Sequence, residues 1–246
     1  MRLYLSKSEF IETSEAIDLS MALQASTENV RAWYVDPPRM EIVRANGFVG
    51  SIKEGGSVNF RDVFFNPHGH GTHTECCGHI TQEVYAVDDV LKEYFYRATL
   101  ITVDPVQMEN GDFVVQADQI APFLQKGFSE AVIIRTLPNG NDKKSVNYSG
   151  TNPCYFDVTI VELLNEFNVK HFLVDQPSVD REEDGGALAF HHAFWNVPAQ
   201  PNFERTITEL IFVPNEVADG TYILEIQMAA FKNDASPSRP VLYKIQ

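Results

Sequence analysis

At 246 residues and 27.7 kDa the chain has the length of one domain of ordinary size. Its 44% hydrophobic and 11% aromatic content is enough to bury a core without staples, which excludes global disorder. The formal net charge of −15, spread along the chain, would repel phosphate; nucleic-acid partners and docking on anionic lipid are therefore not expected. Three cysteines, Cys76, Cys77 and Cys154, form an odd set with no metal-finger spacing and no disulfide framework. The N-terminal segment lacks the apolar run of a signal peptide, and no stretch approaches the ~20 apolar residues of a membrane span. A cytoplasmic location is the expectation.

In chain order, the first strand-like run is 2–5, followed by the β-branched and aromatic stretch 58–65. Residues 86–95 carry Val87, Val90, Leu91 and Phe95 on one helical stripe. A strand over 98–104, a helix over roughly 117–126 and a strand over 131–136 come next. The segment 156–167 predicts a helix opening at an Asp157 N-cap, with Ile160, Leu163, Leu164 and Phe167 facing inward. A strand over 170–175, a helix over 187–196 and strands over 206–213 and 221–231 complete the set. The solidly apolar runs AVIIRT and HFLVD, with a helix between them, read as a βαβ unit of central strands. Several other strands alternate with period two, which suggests antiparallel pairing. No repeat or linker divides the chain, so the expectation is a single mixed-sheet α/β domain over 1–246.

Six of the seven histidines fall in two places. His68, His70, His73 and His79 lie within twelve residues, in the segment Asn66-Pro67-His68-Gly69-His70-Gly71-Thr72-His73-Thr74-Glu75-Cys76-Cys77-Gly78-His79. Imidazole and carboxylate are good ligands for zinc or manganese. In extended chain, residues i and i+2 share a side, so His73 and Glu75 would face one point. The glycines at 69 and 71 would let an earlier histidine reach it as well. His191 and His192 form the second cluster, with Glu204 downstream to close a site. His171, alone at the start of an apolar run, reads as a satisfied core histidine. A cysteine nucleophile at Cys76 or Cys77 is the competing chemistry; burial as small hydrophobes is the plainer role for both.

The segment from Pro67 to His79 resembles the signature of the cyclase family of metal-dependent hydrolases, which includes bacterial kynurenine formamidase and isatin hydrolase. The family pattern is His-x-Gly-Thr-His-x-Asp-x-Pro-x-His; Gly71-Thr72-His73 matches its core, and His79 stands at the right distance. Asp18-Leu19-Ser20, the stretch from Asp175 to Asp180, and His191-His192-Ala193 resemble further family segments. Glu75 stands where the family has Asp, Cys77 replaces the motif proline, and Gly69 occupies the place of the first histidine. Either His68 takes that role, with one inserted residue among the glycines, or His70 does. The late pair leaves the same choice between His191 and His192.

The resemblance implies a mixed-sheet fold of the kynurenine formamidase type and one or two divalent ions, zinc or manganese. His68 or His70, His73, Glu75, His191 or His192, and Glu204 would hold them. It implies a homo-oligomer, dimer or tetramer, and hydrolysis of a C–N amide, formamide or lactam bond, or an ester, in a small and possibly aromatic molecule. Such an ion lowers the pKa of a bound water to about 7. His79 would move the proton to the leaving atom, and Thr72 would orient a ligand. Trp33, Tyr34, Phe64 and Phe65 are the aromatic candidates for the substrate pocket. A non-catalytic metal-binding or small-ligand-binding member of the same fold is the alternative reading.

Overall fold

The structure is a computed structural model describing residues 1–246. Its centre is a closed, mixed barrel of seven strands: β1 (His73–Glu75), β2 (Phe95–Val103), β3 (Ala131–Thr136), β4 (His171–Val174), β5 (Thr206–Glu209), β6 (Gly220–Met228) and β7 (Ala235–Lys244). Around the barrel the order is β6-β2-β3-β4-β5-β1-β7, and β7 returns to pair with β6. The run from β2 to β5 is parallel, and the remaining pairings are antiparallel. Closure leaves the barrel with no free edge.

The βαβ reading of AVIIRT and HFLVD holds: β3 and β4 pair in parallel, Ala131 opposite His171, and α1 (Ile160–Glu166) lies between them in sequence. Alternation on these strands feeds two cores. Ala131, Ile133 and Leu173 join Leu100, Leu224 and Leu242 in one apolar cluster drawn from strands around the ring. Val132, Ile134, Phe172 and Val174 pack on the other face against Ile160, Leu164 and the aromatics of α2 (Ala189–Trp195), namely Phe190, Phe194 and Trp195. Both faces are buried, which is why Ala131–Ile134 and Phe172–Val174 are apolar without a break.

Elsewhere tertiary pairing overrides local propensity. The helix expected over 86–95 is a single turn, Val87–Val90, because Phe95 already belongs to the nine-residue strand β2. Over 117–126 there are two short 3-10 turns; Pro122, in the first turn of the second, cannot supply the amide that a continuing helix needs. Asp157 does not cap α1 directly. Its carboxylate accepts the Thr159 amide, 2.8 Å, and its carbonyl accepts the Ile160 amide, 3.0 Å, so it shapes the preceding turn. The strand expected over 206–213 stops at Glu209 because Leu210 takes a left-handed φ of 54°. The 58–65 stretch is strand only at Arg61–Phe64, in an exposed hairpin with Arg39–Ile42 outside the barrel. Strand β7 has no clear local signal, because Pro237 and Pro240 look like turn residues.

His171 is a core histidine. It is buried, pairs with the Thr206 hydroxyl at 2.8 Å, and packs on the Tyr96 ring. Burial pushes its pKa down to about 3. The folded protein therefore keeps this ring neutral while the unfolded chain protonates it near 6.5. As pH falls from about 6.5 towards 3, this residue should remove roughly 1.4 kcal/mol of stability per pH unit. Denaturant melts of the parent and His171→Gln at several pH values check it: the acid slope should be shallower in the variant, and equal slopes would contradict the assignment. No helix is long and apolar enough to cross a membrane.

Candidate metal centre

Strand β1 carries the chemistry. His73 and Glu75 share one face, while Thr74 turns the other way and is hydrogen-bonded to Thr208 and Ser238, 2.8 Å to each. Register does the rest. On β5, Glu209 stands directly opposite His73; on β7, Ala235 stands opposite Glu75. A cross-strand neighbour on the same face brings the Glu209 carboxylate against His73. The Thr72 hydroxyl donates to the Leu210 carbonyl and accepts the Met21 amide, tying the entry of β1 to the exit of β5. Gly71 enters the strand at φ 135°, a conformation side-chain-bearing residues rarely adopt. Gly78 lies so close to the next loop that an added Cβ would fall 2.0 Å from the Tyr85 carbonyl oxygen, so only glycine fits the turn that presents His79.

These elements converge on Glu75, which is fully buried. Its Oε1 lies 3.1 Å from His191 Nε2; its Oε2 lies 3.0 Å from His68 Nδ1 and 4.0 Å from His79 Nε2. His73 Nε2 is 3.4 Å from Glu209 Oε2, and His191 Nε2 is 3.9 Å from Glu209 Oε1. Ligand atoms of His68, Glu75 and His79 lie within 4.8 Å of one another, as do those of His73, Glu75 and Glu209. Glu75 belongs to both groups.

Each imidazole is oriented from behind. His73 Nδ1 faces the Gly71 carbonyl at 2.9 Å, so that nitrogen carries the proton and Nε2 presents a lone pair. His191 Nδ1 faces Asp180 Oδ2 at 2.6 Å. The same carboxylate accepts the Phe190 and His191 amides at the start of α2, so one residue caps the helix and aims the ring.

The electrostatics match this geometry. Burial disfavours charge on His68 and His191, yet the flanking carboxylates outweigh it and lift each to about 10: Asp234 and Glu75 for His68, Asp180 and Glu75 for His191. Burial would raise Glu75, but His79, His191 and His68 around it hold its pKa well below the usual carboxylate range. The pocket thus concentrates negative charge and binds protons where a dication would bind. Two of its buried atoms, His73 Nε2 and Glu75 Oε2, face polar neighbours (Glu209 Oε2 at 3.4 Å and His68 Nδ1 at 3.0 Å) but make no well-aligned hydrogen bond. An orphaned buried polar atom costs about 1–3 kcal/mol. Two of them in one carboxylate-and-imidazole pocket fit a divalent cation.

The family model of the cyclases matches residues 17–181, about two thirds of the chain. The chain belongs to the cyclase family. Kynurenine formamidase of Bacillus cereus is 28% identical over 237 residues, which cover 96% of this chain and all of that protein. Among solved structures, isatin hydrolase A from Ralstonia solanacearum shares the fold with a TM-score of 0.66 at 17% identity, over 93% of this chain and 91% of that one. A predicted metal-dependent hydrolase from Bacillus stearothermophilus does so at 0.59 and 14%, over 93% and 98%. The protein is a hydrolase of this family.

In this member of the family the barrel brings His68, His73, Glu75, His79 and His191 together, and it keeps three other expected ligands away. His70 has both ring nitrogens committed: Nδ1 accepts the Asn66 amide and Nε2 faces the Asp36 carbonyl, each at 2.7 Å. His192 lies on the other flank of α2, facing the Val197 carbonyl at 3.1 Å. Glu204 is on the surface, its side chain 76% exposed and paired with Lys170. The site carboxylate is Glu209, five residues on. Its signal was legible as a lone acid within the apolar run TITELIFV, since a buried charge needs a partner. The Thr72 hydroxyl spends its hydrogen bonds on backbone groups, the Met21 amide and the Leu210 carbonyl.

A cavity of about 260 Å³ opens onto the centre, lined by Trp33, Asn66, His68, His79, Ser178, Leu188, His191 and Glu209. Trp33 is in the wall. Phe64 is not: it is half exposed on the outer hairpin, under the Arg39 guanidinium. Phe65 stacks on Phe231, and Tyr34 is mostly exposed. Neither neighbouring cysteine lines the cavity. The Cys76 thiol donates to the Tyr85 carbonyl, and Cys77 is packed in the main core. The Cys77 side chain and burial push the Cys76 thiol far up, away from thiolate chemistry.

A pair of single substitutions tests this geometry. His68→Ala should lose metal on dialysis, whereas His70→Ala should retain most of it and instead lose about 1–3 kcal/mol of stability. Metal analysis of the dialysed proteins decides, and the reverse pattern would make His70 the ligand in place of His68.

Proposed function

We propose that this hydrolase cleaves a carbon–nitrogen bond, that of an amide, formamide or lactam, in a small aromatic molecule, at a centre holding one or two divalent ions, zinc or manganese. The observation that carries the reading is Glu75: fully buried, common to both donor groups, and, like His73 Nε2, carrying a buried atom that makes no well-aligned hydrogen bond. His68, His73, Glu75, His191 and Glu209 would hold the metal. When bound, such an ion supplies Lewis acidity and lowers the pKa of water towards neutrality.

The remaining work falls to the chain's own side chains. Glu75 and Glu209 neutralise the cation, and their buried setting strengthens every charge interaction in the pocket. His79 stands at the cavity wall with its side chain 30% exposed, where a leaving group can reach it. It carries a proton to the leaving nitrogen as the C–N bond breaks and water oxygen adds to the carbonyl carbon. Trp33 and Leu188 offer apolar surface to an aryl ring, and Asn66 and Ser178 offer polar groups to fix the carbonyl. No Lys or Arg lines the cavity, which disfavours an anionic substrate. The kynurenine formamidase and isatin hydrolase relatives support a C–N target.

The test is a screen of formanilides, lactams, cyclic imides and aryl esters with protein of known metal content. Chelation should abolish hydrolysis and added zinc or manganese should restore it. Undiminished turnover by the metal-free protein would sink the proposal.

A further inference from the structure

Asp234 lies in the loop that leads into β7, one residue before Ala235, the partner of Glu75. Its backbone carbonyl accepts the Cys76 amide at 3.1 Å, which pins the loop to the end of β1. Its side chain is largely enclosed, and a single oxygen, Oδ2, lies 2.8 Å from His68 Nε2 and 3.3 Å from His79 Nδ1. The two rings lie 4.2 Å apart, centre to centre, inclined by only 30°. On the side of the rings away from Glu75, the other orienting groups each serve one imidazole: Asp180 faces His191, and the Gly71 carbonyl faces His73.

A carboxylate can only accept, so both ring nitrogens that face Asp234 carry hydrogen. This settles which nitrogens are free. His68 turns Nδ1 towards Glu75 Oε2, and His79 turns Nε2 towards the same oxygen and the cavity. Without the common acceptor, either ring could exchange tautomers or rotate, and only Glu75 Oε2 would still face the pair.

Resting on the reading of the site given above, we infer that Asp234 is a positioning residue serving two imidazoles at once, the metal-holding His68 and the proton-moving His79. One substitution should then weaken both metal binding and proton transfer, which no other single orienting group in the site would do. Partners of this kind typically contribute 10–100-fold to metal affinity or activity.

The experiment uses the full chain with Asp234→Ala and the volume-preserving Asp234→Asn; the latter decides if the former does not fold. Zinc affinity is measured by competition with a fluorescent chelator, and kcat and KM are then measured at saturating zinc. The expected result for Asp234→Ala is a zinc affinity lower by about 10–100-fold. With zinc saturating, kcat should still be lower by about tenfold or more while KM changes little, and adding Asp234→Ala to His79→Ala should lower kcat no further. Unchanged zinc affinity, unchanged kcat at saturating zinc, or additive effects with His79→Ala would each overturn the shared role. A parent protein that binds zinc beside a variant that binds it equally well sinks this inference alone. A parent that binds none overturns the reading of the site and this assignment together.

Discussion

Glu75→Gln is expected to strip the protein of metal on dialysis and to lower turnover by ~10³-fold or more, an activation-energy loss of about 4 kcal/mol. The carboxylate is the only group within 4 Å of three imidazoles at once, His68, His79 and His191. It also belongs to both groups of candidate ligands. Glutamine keeps the volume and one acceptor oxygen but replaces the other by an amide donor. That donor would point at a cation or at the hydrogens of the surrounding rings, and the pocket would lose a full negative charge in a low-dielectric setting. Elemental analysis and a rate measurement on the folded variant check the expectation. Parent-like metal content in Glu75→Gln would remove this residue from the centre.

His79→Ala should separate chemistry from binding. Turnover is expected to fall by roughly a hundred-fold or more, the usual contribution of a positioned general acid or base. Metal content should change little. His79 is the most exposed imidazole of the cluster, it lines the cavity, and it lies farther from Glu75 than His68 or His191. Its partner Asp234 would remain with His68, so the binding side of the pocket keeps its orientation. Full activity in the variant would take His79 out of the mechanism, and complete metal loss would make it a ligand instead. Substrates with better leaving groups should suffer less from the change, because they need less help from a proton donor.

The sequence by itself determined the mixed α/β class, the βαβ unit and the clustering of metal-binding chemistry on one strand. The central runs Ala131–Ile134 and Phe172–Val174 are apolar on both buried faces, and that pattern is local. His73 and Glu75 share a side because a strand alternates, which needs no knowledge of the rest of the chain. What tertiary structure decided was which distant groups meet them. Glu209 rather than Glu204 reaches the centre because the antiparallel register of β5 against β1 sets it opposite His73, and register depends on pairing across more than a hundred residues. His191 rather than His192 turns inward because α2 lays Phe190 and Phe194 on the core, and Asp180 fixes the ring. Phe64 left the pocket for an outer hairpin whose pairing with Arg39–Ile42 has no short-range signal. Asp234 carried no signal at all: it is one acid among many in an acidic chain, and only closure of the barrel between β7 and β1 brings it to two histidines more than 150 residues earlier.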